Sequence, residues 1–448
     1  MDFVSFKNAV IAKAESLGIT EYELYYRADE STSIGIFKDQ VDEFSASSQG
    51  GVCFRCIVNG KMGYASTEEL SEKQAVAIVE KAADHAGVLE SEEPVFLCEG
   101  GKEYAQLQLE PYALPATDEL IRCALETQKK LYATDAKVVD GCQTNVIAER
   151  STIAISNSKG LELQYENNLT ALVVASVVSD GTEMTDAYQI KVGQLDKLDV
   201  DAITKKATEN ALQKMGGDVA PTGQYPVVFD PQAMSDLLET FASVFSSEVA
   251  QKGLSRLADK EGTQVAASVV TLVDDPFHPE NPMPIHFDAE GCPTCKKNVI
   301  EKGVLQTLLY NMKTAAVAGR ETTGNGAKGG YDAPVAVRPF TMYIAPGEIS
   351  EEQLLEKAGN GVYITSLGGL HAGANPVTGD FSLQSAGFMI ENGKKTTPVK
   401  SFTVAGNFYD LLKGITTVAD NVQLPRAIGM TAYGSPTVLV EGLSVAGK

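Results

Sequence analysis

"FDPQAMSDLLETFASVFSSEVAQKG", residues 229 to 253, carries the most complete set of helix signals in the chain. Asp230 stands at the N-cap position, and Pro231 follows at the first helical position, where a missing N–H costs nothing. Met234, Leu237, Leu238, Phe241, Phe245 and Val249 recur on one face, and Gly253 offers a stop. The spacing predicts one long amphipathic helix over this stretch.

What flanks that helix decides the fold class. Upstream, "MGGDVAPTGQYP" (215 to 226) combines glycines and prolines with no apolar period, the signature of a domain boundary. Downstream come strand-like runs, "VAASVVTLV", "GVLQTLLY", "TMYIAP" and "GVYIT". A hairpin at Asn392-Gly393 then joins "FSLQSAGFMIE" to "KTTPVKSFTVAG". Antiparallel strands with segregated helices mean α+β. A two-domain chain is expected: an N-terminal α+β domain over 1–215, with a subdivision near 90–115, and a strand-rich C-terminal domain over 226–448 with one prominent helix.

The N-terminal half repeats this logic. "YELYYRA", "SIGIFK" and "VCFRCIV" alternate as strands, the last turning at Asn59-Gly60 into "KMGYAS". "STEELSEKQAVAIVEKAADHA" reads as a helix with Ser66 or Thr67 as its cap and His85 as a C-terminal cation. "LESEEPVFLCEGGKEYAQ" reads as a linker, "TDELIRCALETQKKLYA" as a second helix, 137–192 as strand-rich and 201–214 as a further helix.

Charge narrows the function. Lys and Arg number 37 against 59 Asp and Glu, a net charge of −22 spread along the 448 residues. Such a field repels phosphate backbones and anionic membranes, so neither is an expected direct partner. "ALVVASVV" (171 to 178) is strand-like, and no apolar run reaches the 18 or more residues of a spanning helix. "MDFVSFKNAVIAKAESLG" has an early aspartate and no basic n-region, so it reads as an amphipathic helix and not as a signal peptide. A cytoplasmic location is expected.

Seven cysteines without a secretory signal favour reduced thiols. Cys53 and Cys56 have C-x-x-C spacing, but in a strand residues three apart face opposite sides. His278, His286, Cys292 and Cys295 form the one conceivable metal set, a structural zinc site of two histidines and two cysteines, and would serve an independent metal-dependent hydrolase. Gly324, Gly326 and Gly329 satisfy G-x-G-x-x-G, but neither the preceding strand nor the following helix of a dinucleotide site is present, and a mobile loop is expected instead.

Four segments together resemble the TldD/PmbA family, closest to its PmbA (TldE) branch. They are "DQVDEFSASSQGGVCFRCIVNGKMGYAS", "KGLSRLADKEGTQVAASVVTLVDDP", "FDAEGCPT" and "GANPVTGDFSLQSAGFMIENGKKTTPVKSFTVAGN". The resemblance implies a cytoplasmic metalloprotease of two related subunits that acts on unfolded proteins or peptides inside an enclosed cavity. Only one subunit type carries the zinc-type metal. The catalytic branch has H-E-x-x-x-H on a helix and a cysteine in a C-G-K motif near the C-terminus. Counted back without gaps from Gly253, the motif falls on Leu238, Glu239 and Ser243, so the glutamate remains and both histidines are replaced. No cysteine follows Cys295, and the tail reads "GMTAYGSPTVLVEGLSVAGK". No catalytic residue, metal or other cofactor is then expected in this chain, whose partner would be a TldD-like catalytic subunit, with a homodimer as the form when alone. The family's older label, modulator of DNA gyrase, leaves a regulatory role as an alternative, and that effect would be indirect.

"HAGANPVTGDFS" (371 to 382) lies beside one of these segments and holds His371, Asn375, Asp380 and Ser382. Glycine, asparagine and aspartate are what a tight turn before a strand demands. Contact with substrate or partner is the alternative role of these four residues.

Overall fold

In the computed structural model, the described residues are 1–90, 93–107, 113–428 and 431–447. The architecture is α+β. Helix α1 (Phe3–Ser16) precedes strands β1 (Tyr22–Phe37), β2 (Gln40–Val58) and β3 (Lys61–Thr67). Helices α2 (Glu72–Val88) and α3 (Thr117–Tyr132) follow, then β4 (Gln143–Asn157), β5 (Glu162–Ser179), β6 (Met184–Val192) and α4 (Val200–Gln213). The six strands form one antiparallel sheet in the order β3-β2-β1-β4-β5-β6. The family-like N-terminal segment and the strand-rich stretch after 137 therefore share a single sheet. The subdivision expected near 90–115 falls partly on 91–92 and 108–112, outside the described residues.

Side-chain alternation gives this sheet two buried faces. On one, Leu24 and Phe54 meet Phe6 and Val10 of α1 and Ile78 and Val79 of α2. Ile34 and Ile36, on the same face of β1, meet Leu120 of α3 and Ile203 of α4. On the other, Tyr25, Cys53, Ile153 and Ile155 pack against Ile285, Phe287, Cys292 and Phe340 of the C-terminal half. Cys53 and Cys56 thus lie in different cores on opposite faces. Asn59 and Gly60 turn with φ of 52° and 74°, and Asn392 and Gly393 with 51° and 74°, the left-handed pair that a two-residue hairpin requires.

The C-terminal half contains two large sheets and a two-stranded ladder of Gly326–Ala327 with Ala336–Val337. Seven strands run in the order Ile415–Val418, Val438–Ala446, Gly223–Phe229, Gly361–Gly368, Asp380–Glu391, Lys394–Asn407, Asp218–Val219. Six more run Val304–Leu305, Lys297–Glu301, Leu272–Asp274, Thr341–Ile344, Thr431–Ser435, Gln423–Ile428. Helix α5 (Pro231–Phe241) packs against strands of both. Its Leu237, Leu238 and Phe241 share one core with Phe229, Met342, Ile364 and Phe408.

Two local expectations need correction. The helix expected over 229–253 is broken: α5 ends at Phe241, a 3₁₀ turn spans Ala242–Phe245, and a short helix resumes at Ser247–Gln251. The break is where the chain pairs sideways, with Leu309 N–H donating to Phe245 O at 2.9 Å and Ser247 N–H to Leu309 O at 3.0 Å. Residues 66 and 67 are not a helix cap but the end of β3, and Ser71 caps α2 by accepting from Gln74 N–H at 3.3 Å. Pairing of β3 with Val52–Val58 holds the chain extended for longer than local propensity indicates.

Candidate functional site

Helix α5 begins as its sequence dictates, with Asp230 Oδ1 accepting from Ala233 N–H at 2.7 Å and Pro231 in the first turn. Desolvation pushes the Asp230 carboxyl up to about 7, because the charged form loses water. Leu238 is fully buried, whereas Glu239 and Ser243 are exposed. Glu239 lies close enough to act on Tyr433, whose phenol is held well above its ordinary range first by burial and then by the charges of Glu239 and Asp274, with Arg338 opposing. The exposed rim of α5 therefore borders the strand Thr431–Ser435.

The stretch 371 to 382 sits near this helix through the short helix Leu370–Gly373. Asn375 Oδ1 accepts from Val377 N–H at 3.0 Å and Thr378 N–H at 3.3 Å, so its side chain builds the turn. Gly379 closes it at φ 81°, and a Cβ there would stand 2.5 Å from the Tyr409 ring. Asp380 Oδ1 accepts from Asn407 Nδ2 at 2.8 Å, which together with Thr378 holds its carboxyl below the ordinary value. His371 and Ser382 are exposed. Asn375 and Asp380 thus have structural duties, and His371 and Ser382 remain open for contact.

His278, His286, Cys292 and Cys295 are not gathered into one set. His278 lies edge-on to Tyr343 at 4.9 Å, and its Nδ1 accepts from Glu280 N–H at 3.2 Å. His286 lies between Tyr104 and Phe287. Burial holds both imidazoles below their ordinary range. Cys292 is buried with its Sγ 3.4 Å from Cys98 Sγ, and Cys295 is exposed. Among the described residues no three His, Cys, Asp or Glu side chains converge as a metal site.

The first part of the glycine run, residues 324 to 327, is not the free loop expected from its composition, whereas Gly329 is exposed with open space around it. Asn325 is buried, donating from Nδ2 to Asp274 Oδ2 at 2.8 Å and to Arg338 O at 3.0 Å. Gly326 N–H donates to Asp288 Oδ2 at 2.8 Å, and a Cβ on Gly326 would meet that carboxylate and Glu290 at 3.0 Å. Glycine lets the backbone reach buried carboxylates, which then fix it. Asp288 Oδ1 also accepts from Glu290 N–H and Cys292 N–H, both at 2.9 Å, and Glu290 Oε2 from Met312 N–H at 2.7 Å. Burial pushes Asp288 and Glu290 up to about 7 each.

Where this run meets the N-terminal sheet, a cleft of about 240 Å³ opens between the two halves. Tyr25, Ile153, Ile285, Phe287 and Phe340 give it apolar walls, while Arg27, Lys328 and Arg338 border it with cations. Lys328 Nζ lies 4.5 Å from the centre of the Tyr25 ring. Thr431 also lines the cleft, so it reaches the same strand that borders α5.

Models of three PmbA/TldA metallopeptidase domains match the chain in order: domain 1 over residues 22–86, the central domain over 110–215 and the C-terminal domain over 222–447. The chain belongs to the PmbA/TldD family. Similar relatives include a metalloprotease of Methanothermobacter thermautotrophicus, 26% identical over 90% of this chain and 89% of that protein. Metalloprotease PmbA of Escherichia coli O157:H7 is 24% identical over 90% and 88%. A solved structure from Thermotoga maritima, described as a candidate modulator of a DNA gyrase, is 32% identical with a TM-score of 0.89, covering 99% of this chain and 100% of that one. TldE from Thermococcus kodakarensis shares the fold, with a TM-score of 0.88 at 24% identity over 98% and 99%.

Within the PmbA/TldD fold, the two helix positions that the resemblance assigns to metal ligation split between a core residue, Leu238, and a solvent-facing one, Ser243, with Glu239 of the same motif also exposed. The start of the C-terminal tail segment, residues 429 and 430, lies outside the described residues. Sequence reasoning missed Cys98 as the neighbour of Cys292, Lys328 as a cleft residue, and the Asp274–Asn325 hydrogen bond. The only usable signal was the run of acids in "VDDP" and "FDAEG" among apolar residues, since buried carboxylates need donors from elsewhere.

Proposed function

We propose that this chain is the PmbA/TldE-like, non-catalytic subunit of a two-subunit metalloprotease of the TldD/TldE type, which processes unfolded proteins and peptides in the cytoplasm. The observation that carries this reading is Leu238, fully buried in the C-terminal core at the place of the family's first histidine. The residues there do not fit a zinc-type ion. Leucine has no lone pair, Ser243 offers only a neutral hydroxyl, and the Glu239 carboxylate alone is far from the three or four ligands such an ion takes. Burying Leu238 contributes about 1.5–3 kcal/mol, so the position serves packing.

What this chain supplies is shape. Glu239 and Ser243 are exposed on α5 and the turn after it, and His371 and Ser382 are exposed on the stretch whose short helix, Leu370–Gly373, touches α5. The fold is related to that of its catalytic partner, and related folds can dock through a pseudo-twofold interface. A closed chamber around the partner's metal would admit extended chains and exclude folded ones. Curated relatives that match this chain include proteins named metalloprotease TldD homolog, consistent with the two subunit types sharing ancestry. The independent hydrolase gains no support, because its four ligands stand in separate environments.

Mixing this chain with an H-E-x-x-x-H relative from the same organism tests the proposal. The expected result is a mixed complex by size exclusion and faster cleavage of an unfolded peptide than by the relative alone, whether or not this chain self-associates beforehand. Chelator-sensitive cleavage by this chain alone, or the lack of both complex and gain, would sink it.

A further inference from the structure

Cys98 and Cys292 are 194 residues apart in sequence and belong to different halves of the molecule, yet their Sγ atoms are in contact at 3.4 Å. Both are buried. The backbone on each side of the contact is fixed. Asn157 Nδ2 donates to the Cys98 carbonyl at 2.8 Å, and Gly100 N–H to the Lys159 carbonyl at 3.1 Å. Across the contact, the Tyr104 hydroxyl donates to the Gly291 carbonyl at 2.8 Å, and Cys292 N–H is held by Asp288. Cys53 and Cys56, close in sequence, are separated by the sheet itself.

We propose that Cys98 and Cys292 are a redox modification site, forming a reversible disulfide between the two halves of the molecule with a small hydroperoxide as oxidant. Bonded sulfurs lie about 2.05 Å apart, so the contact needs to close by little more than about 1 Å, within reach of side-chain rotation. The surroundings give the two sulfurs different parts. The Cys292 thiol donates to Cys98 sulfur and the Lys102 ammonium stands beside it, and both hold Cys98 below the ordinary thiol range. The same hydrogen bond, burial and the neighbouring Asp288 push Cys292 well above it. The donor at Cys292 and the Lys102 ammonium make Cys98 the attacking sulfur once it gives up the proton it directs at the Gly291 carbonyl, 3.3 Å away, and Cys292 the resolving thiol.

In the first step Cys98 sulfur attacks an oxygen of the hydroperoxide. The S–O bond forms, the O–O bond breaks, and the leaving oxygen takes the proton that Cys98 released and departs as water or alcohol. In the second, Cys292 sulfur attacks the sulfenic sulfur of Cys98. The S–S bond forms, the S–O bond breaks, and hydroxide leaves with the Cys292 proton as water. Two thiols lose two electrons in all, and one O–O bond gains them. The new bond would tie the segment at 98 to the turn whose Asp288 lines the cleft, and so restrain that cleft.

The test oxidises the reduced full-length chain with hydrogen peroxide, counts free thiols and maps peptides by mass spectrometry. The expected result is a fall of two from the seven thiols of the sequence, a linked peptide joining 98 to 292, and full reversal by dithiothreitol. Cys98→Ser and Cys292→Ser each abolish the link, whereas Cys295→Ser retains it. The double variant Cys98→Ala/Cys292→Ala, first shown to fold by circular dichroism, loses the oxidant-dependent rise in Tm that a long-range crosslink produces in the parent. The inference is overturned if peroxide modifies exposed Cys295 while no 98–292 peptide forms, or if Cys98 proceeds to sulfinic acid with Cys292 still free.

Discussion

The N-terminal sheet and the paired C-terminal sheets satisfy their buried backbones in different ways. In the first, long neighbouring strands exchange hydrogen bonds directly, as in the unbroken ladder from Glu23 to Phe37 against Asn157 to Gln143. In the six-stranded sheet of the second and the segments around it, strands are short and joined by irregular stretches, and side-chain carboxylates take the place of missing ladder partners. Asp274 Oδ1 accepts from Phe340 N–H at 2.9 Å and Thr341 N–H at 3.1 Å, Asp288 from three N–H groups, and Glu261 from Leu308 N–H at 2.6 Å. Irregular backbone can be buried only where something else supplies the acceptors. The acids of the C-terminal half are therefore part of its architecture, and their presence near a cleft is not by itself a sign of catalysis.

The sharpest way to break this contrast is to remove one such acid. Asp274→Ala should destabilise by about 3–5 kcal/mol, since it orphans two backbone donors and Asn325 and leaves Lys297, 3.2 Å away, as an unpaired cation with little exposure. Ser45→Ala, on the exposed part of β2, should stay within about 0.5 kcal/mol. Denaturant unfolding of the two variants measures both. A loss below about 1 kcal/mol at Asp274 would show that the ladder and not the carboxylate holds this region.

A smaller effect sharpens the contrast within α5. Leu238→His puts a polar ring into an apolar core and should cost about 2–4 kcal/mol, while Ser243→His at the exposed rim should be near neutral. Thermal unfolding with and without added zinc reads both, and the single variants should gain no zinc-dependent stabilisation. Equal stability of the two would mean that position 238 can open towards solvent.

The third prediction concerns pH. Asp230 has a folded pKa of about 7 against an ordinary 3.8, so the folded state binds the proton more tightly than the unfolded chain. Stability from this group is complete at low pH and is lost as pH rises through the interval up to 7. Asp230→Asn keeps a cap acceptor and removes the titration. Between pH 4 and 7 its unfolding free energy should lack a downward slope of at most about 1.4 kcal/mol per pH unit present in the parent, and above pH 7 it should be the more stable protein. Parallel stability profiles would disprove the assignment.

The smallest effects belong to the turn at 371 to 382. Asn375→Ala removes an acceptor for two N–H groups and should cost about 1 kcal/mol, whereas His371→Ala should change stability by less than about 0.5 kcal/mol. If His371→Ala nevertheless weakens complex formation with a catalytic relative, contact is its role. Unchanged affinity and activity would assign the whole stretch to structure.

Local chemistry determined much of this molecule from sequence alone. The two Asn-Gly hairpins, the Asp230–Pro231 helix start, the opposite faces of Cys53 and Cys56 and the α+β class all follow from backbone dihedral preferences and side-chain alternation, which act over a few residues. The family motifs could be read because they are contiguous. Only the tertiary structure decided that the long helix breaks at Ala242, because the competing partner, Leu309, lies more than sixty residues away. It alone turned the first part of the glycine run into a packed segment under Asp288, separated the four candidate zinc ligands, and set Cys98 against Cys292. Each of these depends on which distant segments share a dry interior, where an unmet hydrogen bond or an unpaired charge costs several times what a local propensity contributes.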